Sequence, residues 1–453
     1  MTAPPALPLR CFADWIGRTD EHAASRLPLL EQAERLLAAG SDAPAGDRQS
    51  LAAKLERWRY QHLARRSHGL TPMDRGLAEA LDVAAHALSG RPPRLPRRPR
   101  EAIMDLSLED AAVVEAKTAL DPQVGLDVVV HRAIGLTREY FGVRPGRESS
   151  SAGGWRVLLY APLYLSSYCV NHCRYCGFRY PNPIPRKHLT QEQALREADV
   201  LYDRGFRHVL LVAGDFPDRT TADYFGSILR ALRARGMTAA VEVAPQTADA
   251  YAALASAGAC GVTLYQETYA EDLYALYHPR GSKALYDWRL EGLERAAEAG
   301  MARLGLGILL GLADPREDLI PLIRHGRYLA RRFPDHPLAF SLPRIHDAPS
   351  GFQVPFPVAD ETFVRMYCAL RIAFPQADLL LSTREPAELR NRLAGICITQ
   401  MSAGSCTSPG GYEETGEARA GEQFPVADHR SPAEVATWLQ NAGFGVVWRI
   451  REA

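Results

Sequence analysis

The chain has 453 residues and a formal net charge of +0 at pH 7. That length exceeds one small domain and leaves room for a large barrel plus a further module. Balanced charge gives no electrostatic case for nucleic acid or an anionic membrane as a bulk partner. No run approaches about 18 uninterrupted apolar residues, so no spanning helix is expected, and the opening MTAPPALPLRCFADW lacks the apolar core of a signal peptide. Of eight cysteines only three are clustered, which does not resemble a disulfide framework and points to a reducing cytoplasm.

In chain order, 29–40, 49–66 and 75–90 each place apolar residues at helical spacing. These form a helical N-terminal extension over 1–90. RPPRLPRRPR (91–100) follows as a Pro/Arg-rich linker. A solvated connector explains that basic run better than a nucleic-acid contact. Helical segments at 107–120 and 124–141 form a lead-in over 101–154 that ends in a polar Gly/Ser-rich turn, 145–154.

From residue 155 the pattern changes. Short apolar runs at 155–163, 208–212, 238–243, 261–265, 303–309, 338–342, 378–382 and 396–401 alternate with amphipathic segments, several closing on Gly. Strand–helix alternation implies parallel strands with crossover helices. Eight such strands predict an α/β fold of the (β/α)8 TIM-barrel type over 155–453, including a C-terminal closing segment, with chemistry at the C-terminal ends of the strands. An open doubly wound sheet is the alternative, but no GxGxxG follows the first strand.

Cys169, Cys173 and Cys176 lie in CVNHCRYC, just after that strand. Three thiolates on one loop supply three of the four ligands of a cubane [4Fe–4S] cluster. The iron left over can hold S-adenosylmethionine (SAM) through its amino and carboxylate groups, and its reductive cleavage gives a 5′-deoxyadenosyl radical. A structural zinc loop would need a fourth ligand, and His172 lies too close in the chain to supply it.

The segments APLYLSSYCVNHCRYCGF (161–178), LYQETY (264–269), HPRGSK (278–283), LSTREPAELR (381–390), QMSAGSCTSPGGY (400–412) and EQFPVADHRSPAEV (422–435) go further. Over about two thirds of its length the chain resembles the radical SAM aromatic amino acid lyases, above all the thiamine-pathway tyrosine lyases. The tyrosine lyases of [FeFe]-hydrogenase maturation resemble it as a sister group. The resemblance implies cleavage of the Cα–Cβ bond of L-tyrosine to dehydroglycine (2-iminoacetate) and p-cresol. It also implies reduced flavodoxin or ferredoxin as electron donor and a thiazole synthase as recipient of the product. The same chemistry on another aromatic amino acid such as tryptophan, or a non-catalytic cluster-bearing scaffold or sensor, are the competing readings.

The resemblance also implies roles. Tyr175 would lie against the adenine, and Gly214-Asp215 would hold the methionine amino group, with Asp one methylene shorter than the family's Glu. Glu267 would belong to the cofactor pocket, and Arg289 would pair with the SAM carboxylate. Arg384 would grip the substrate carboxylate, with Ser402 and Tyr164 around its amine and carboxylate. Arg344 and His346 are further candidates for substrate or product contact, whereas His278 and Lys283 are expected to order a loop. No C-terminal CxxC pair for a second cluster is present, so the maturases' CO and cyanide chemistry is not expected.

Overall fold

The structure, a computed structural model, describes residues 9–20, 22–65, 72–90, 110–142, 154–413 and 421–450. The expected linker 91–100 lies outside the described residues, as does all of the 145–154 turn except Gly154.

Nine parallel-paired strands are present: β1 (Arg156–Ser166), β2 (His208–Ala213), β3 (Thr238–Glu242), β4 (Ala259–Thr263), β5 (Leu304–Gly307), β6 (Leu338–Ser341), β7 (Asp378–Leu381), β8 (Gln400–Ser402) and β9 (Gly445–Val447). β1 is the longest and closes the barrel. Its start pairs with β8 through Leu158–Tyr160 and its end with β2 through Ala161–Ser166. Alternation along β1 explains why it reads as one apolar run. Val157, Leu159, Ala161, Leu163 and Leu165 enter the large core toward the helices, whereas Tyr160 and Tyr164 cluster with Leu210, Val212 and Leu380 inside the barrel.

The fold is thus the expected (β/α)8 barrel, and eight of its strands fall where the apolar runs predicted them. β9 was not anticipated. It pairs with Arg156–Leu158 of β1, and the Arg207 N–H donates to the Trp448 carbonyl at 3.0 Å. β9 therefore fills the seam below the start of β2, where β1 outreaches its neighbour. Helices begin where side chains satisfy their free amides: Thr190 and Ser431 form capping boxes with Gln193 and Glu434, and Asp314 caps the helix Pro315–Arg332.

The N-terminal helices Ala13–Thr19, Ala23–Ala39, Ala45–Arg65 and Pro72–Ser89 share their own core, including Ile16, Leu30, Leu55, Trp58 and Leu81. They are also built against the barrel. Leu63 and Ala78 pack with Leu285 and Trp288, and Tyr60 lies 5.0 Å from the Trp288 ring. Arg59 forms a buried ion pair with Glu291 at 2.8 Å. The helix Ala248–Ser256 has no side-chain cap of its own; Glu56 accepts the Ala248 N–H at 3.0 Å instead, placing a carboxylate at a positive helix end.

The extension's grip on the barrel has a measurable consequence. Arg59→Ala removes one partner of a buried ion pair and should cost about 3 kcal/mol. Arg57→Ala removes a pair with Asp249 whose arginine side chain is 50% exposed, and should cost less than about 1 kcal/mol. Chemical denaturation followed by circular dichroism checks the contrast.

Candidate active site

The loop after β1 carries the three cysteines across the C-terminal rim. Arg186 holds it in shape, donating to the carbonyls of Ser167 and Phe178 at 2.6 Å, Arg179 at 2.8 Å and Asn182 at 3.1 Å. Gly214 lets the end of β2 approach this loop, because a Cβ there would lie 2.3 Å from the Tyr168 carbonyl oxygen. Cys169, Cys173 and Cys176 line one cavity with Gly214, Asp215, Glu267, Lys283 and Arg289, enclosing about 690 Å³ when the part open to solvent is included.

Burial pushes the Cys169 thiol up to about 11, with Asp215 and Cys176 adding to the shift. Cys173 and Cys176 are also raised by burial, opposed by Lys283. Thiol protons would leave as metal binds. Among the described residues no group of His, Cys, Asp and Glu side chains closes on a single metal ion. His172 packs edge-on to Tyr180 at 5.4 Å and does not line the cavity. Three thiols around one space, with no fourth protein ligand among the described residues, are the donor set of a site-differentiated [4Fe–4S] cluster.

Beside the thiols lies a charged wall. Glu267 accepts from Lys283 Nζ at 2.6 Å and from Arg289 Nη2 at 3.1 Å. Burial alone would raise its carboxyl, but Lys283 and Arg289 hold it below the usual range. Among the described residues Glu267 is the only non-glycine with positive φ, at 73°. Arg289 is fixed further by donating from Nε to the Tyr265 carbonyl at 2.6 Å. The Asp215 carboxylate accepts from Asn171 Nδ2 at 3.0 Å and from the Ser282 hydroxyl, joining the cysteine loop to the 281–284 turn. Gly281, φ 94°, permits that contact, since a Cβ there would meet Asn171 Oδ1 at 2.2 Å.

Tyr175 is buried, and its ring stacks on Phe424 at 6.4 Å and 16°. His278 Nδ1 meets the Tyr274 carbonyl at 2.7 Å, so that nitrogen carries the proton and Nε2 accepts from the Tyr175 hydroxyl at 2.8 Å. Burial and Lys283 keep this imidazole neutral.

On the barrel's inner side, the Arg384 guanidinium lies 3.7 Å over the Phe424 ring, and its buried Nη1 has no hydrogen-bond partner. The Tyr164 hydroxyl donates to Gln423 Oε1 at 2.7 Å, and Gln423 Nε2 lies 3.9 Å from Cys176 Sγ. Ser402 ends β8, and its hydroxyl accepts the Thr383 N–H at 3.1 Å. Ser402 therefore holds the backbone next to Arg384, and its hydroxyl also bonds the buried Tyr160 phenol.

The expected residues thus fall into one connected region, with differences of detail. Lys283, expected only to order a loop, reaches the cavity wall. Arg344 is committed elsewhere: it pairs with the buried Glu385 and with Asp360 at 2.8 Å, and it donates to the Val358 carbonyl at 2.8 Å. His346 bonds the same Glu385 at 3.1 Å. Asn171, Arg186, Glu242, Ser282 and Gln423 were not anticipated. Asn171 sits inside the cysteine motif and Glu242 ends a predicted strand, so position alone could have marked those two.

Comparison with known proteins agrees with this geometry. The Radical SAM superfamily profile matches residues 163–325, and that of the Biotin and Thiamin Synthesis associated domain matches 341–445. The 2-iminoacetate synthase of Salmonella typhimurium is 35% identical over 345 residues, 76% of this chain and 87% of the relative. That of Escherichia coli is 37% identical over 326 residues, 72% and 82% respectively. The chain belongs to the 2-iminoacetate synthase family. Among solved structures, the FeFe-hydrogenase maturase HydG from Carboxydothermus hydrogenoformans superposes with a TM-score of 0.67 at 30% identity, over 90% of this chain and 85% of that one.

This member of the family is accordingly a radical SAM lyase that uses a [4Fe–4S] cluster and SAM, and the three thiols and the adjoining charged wall fit both. Single Ser replacements of Cys169, Cys173 or Cys176 should leave anaerobically reconstituted protein without the roughly four irons of a cubane. Cys11→Ser and Cys260→Ser, at cysteines outside the triad's cavity, should keep them. Iron analysis with visible absorption distinguishes the outcomes.

Proposed function

We propose that this enzyme cleaves the Cα–Cβ bond of L-tyrosine, releasing 2-iminoacetate and p-cresol. The observation that carries the reading is Arg384, a cation whose inner donor is buried without a partner beside the cysteine cavity. A free carboxylate is the ligand that satisfies such a fork, through parallel charge-assisted hydrogen bonds. The relatives named 2-iminoacetate synthase support the same product.

In this reading Arg289 takes the SAM carboxylate, with Glu267 and Lys283 fixing its place, and Asp215 takes the methionine amino group. Tyr175 flanks the adenine. Bound there, the cluster and SAM would supply 5′-deoxyadenosyl radical chemistry at the substrate nitrogen. Arg384, with Tyr164 and Ser402 near it, fixes which hydrogen faces that reagent. The closed barrel interior keeps water from the product imine, which hydrolyses readily. Reduced flavodoxin or ferredoxin serves as electron donor, a thiazole synthase receives the imine, and a reducing cytoplasm suits the cluster. Among the described residues no helix is long and apolar enough to cross a membrane.

Anaerobic incubation of reconstituted enzyme with dithionite, SAM and either tyrosine or tryptophan tests the reading by mass spectrometry. p-Cresol with glyoxylate, the hydrolysed imine, is expected from tyrosine. Arg384→Met should lower kcat/KM about 100-fold, equivalent to about 3 kcal/mol. Arg384→Lys, which keeps charge but not the fork, should lose less. An indole product from tryptophan, with no cresol from tyrosine, would overturn the substrate assignment.

A further inference from the structure

Glu242 is the last residue of β3 and lines the same cavity as the cysteine thiols and Arg289. Among the described residues its carboxylate makes no hydrogen bond and no ion pair. The charged groups that act on it are Arg384, Glu267, Arg289 and Lys283, and it acts in turn on the phenols Tyr160, Tyr164 and Tyr265. Arg289 and Lys283 are already answered by Glu267. That leaves Arg384, whose buried Nη1 is unpaired, and Glu242, whose carboxylate opens on the cysteine cavity, a cation and an anion that act on one another.

Such a pair complements a zwitterion. An α-amino acid carries its carboxylate and ammonium on one carbon, so a head group held by Arg384 presents its nitrogen to a nearby acceptor. Among the cations, Arg384 exerts the largest pull on Glu242, which favours the amino-acid head over the distant phenol as the partner of Glu242.

Building on the tyrosine lyase reading above, we infer that Glu242 receives the substrate ammonium group and takes one of its protons before hydrogen is removed from nitrogen. The step balances by itself: R–NH3+ and the carboxylate become R–NH2 and the carboxylic acid, with no electron transferred and no carbon bond changed. Hydrogen abstraction from the neutral amine then leaves a nitrogen radical adjacent to the bond that breaks. Burial pushes the Glu242 carboxyl up to about 7, against the pull of Arg384. That brings it toward the amine it would deprotonate and toward the working pH, where a general base is most effective.

The test measures binding to anaerobically reconstituted protein with SAM present, by calorimetry. L-Tyrosine is compared with 3-(4-hydroxyphenyl)propanoate, which has the same ring and carboxylate but no amine. Glu242→Gln should weaken L-tyrosine about 10- to 100-fold and leave the amine-free acid within about twofold or tighter, by losing a charge-assisted hydrogen bond. Arg384→Met should weaken both ligands. Glu242→Asp retains the charge and should retain part of the tyrosine affinity, separating charge from packing. Cluster absorption and circular dichroism of each variant report a general folding defect.

Equal weakening of both ligands by Glu242→Gln, or none of either, would overturn the inference. Loss of discrimination between L-tyrosine and L-phenylalanine would do so as well, by placing Glu242 on the phenol. Failure of the unsubstituted enzyme to bind either ligand would instead remove the tyrosine reading itself.

Discussion

Charge buried at the mouth of the barrel must be answered by opposite charge, and the organisation of the site follows from that constraint. Glu267 would be expensive to bury alone. It is ionised because Lys283 and Arg289 both reach it. Its backbone occupies the left-handed region, at a cost of order 1–3 kcal/mol that the surrounding pairs must offset. The two cations follow β4 in the chain, so one carboxylate fixes where that whole segment lies. Asp215, on the other side, is held by neutral donors instead, Asn171 of the cysteine loop and Ser282 beside Lys283. The cysteine loop, the end of β2 and the segment after β4 are thereby linked before any cofactor enters.

The same constraint gives the N-terminal extension a structural meaning. Trp288 precedes Arg289 in the chain, and the Arg59 and Arg295 guanidinium groups lie 5.5 and 3.4 Å from its ring centroid. Its indole donates to the Pro245 carbonyl at 3.3 Å. The face that the extension packs against is therefore adjacent to the residue that braces Glu267. Glu56, by capping the helix after β3, reinforces the neighbouring part of the rim. The extension is part of the wall behind the site rather than a module on a tether.

Much of this was legible in the chain because it depends on local patterns. Strand–helix alternation and the closing glycines located the barrel, since a two-sided buried strand must be apolar throughout and a crossover helix amphipathic. β9 escaped notice because GVV is short and half-buried, and only the overhang of β1 gives it a partner. The cysteine spacing was visible as residue chemistry in a motif, and Arg384 was singled out through the family resemblance of LSTREPAELR. Arg186 was not, because an isolated charge reads as a solvated surface residue; Lys283 reads as ordering a loop, and Glu242 is marked only by its place at the end of a strand. Their importance lies in what they meet: four carbonyls for Arg186, a buried carboxylate for Lys283, and an open interior for Glu242.

The segment after residue 420 ties the cysteine side of the cavity to the Arg384 side. Gln423 touches both Cys176 Sγ and the Tyr164 hydroxyl, and its carbonyl accepts the Gly177 N–H at 3.1 Å. Phe424 touches both Tyr175 and Arg384. The segment is pinned by Asp428, which pairs with the buried Arg390 and with Arg430. The amides of Ala427 and Asp428 add bonds to the Thr383 carbonyl at 2.9 and 3.0 Å. Arg390 also donates to the Ser402 carbonyl, so the anchor of this segment and the residue beside Arg384 share one network. A displacement of Phe424 would move Tyr175 and Arg384 together, the adenine side and the carboxylate side of the function proposed above. Hydrogen removal tolerates little error in the distance between reagent and substrate, and one short segment touching both halves limits that error.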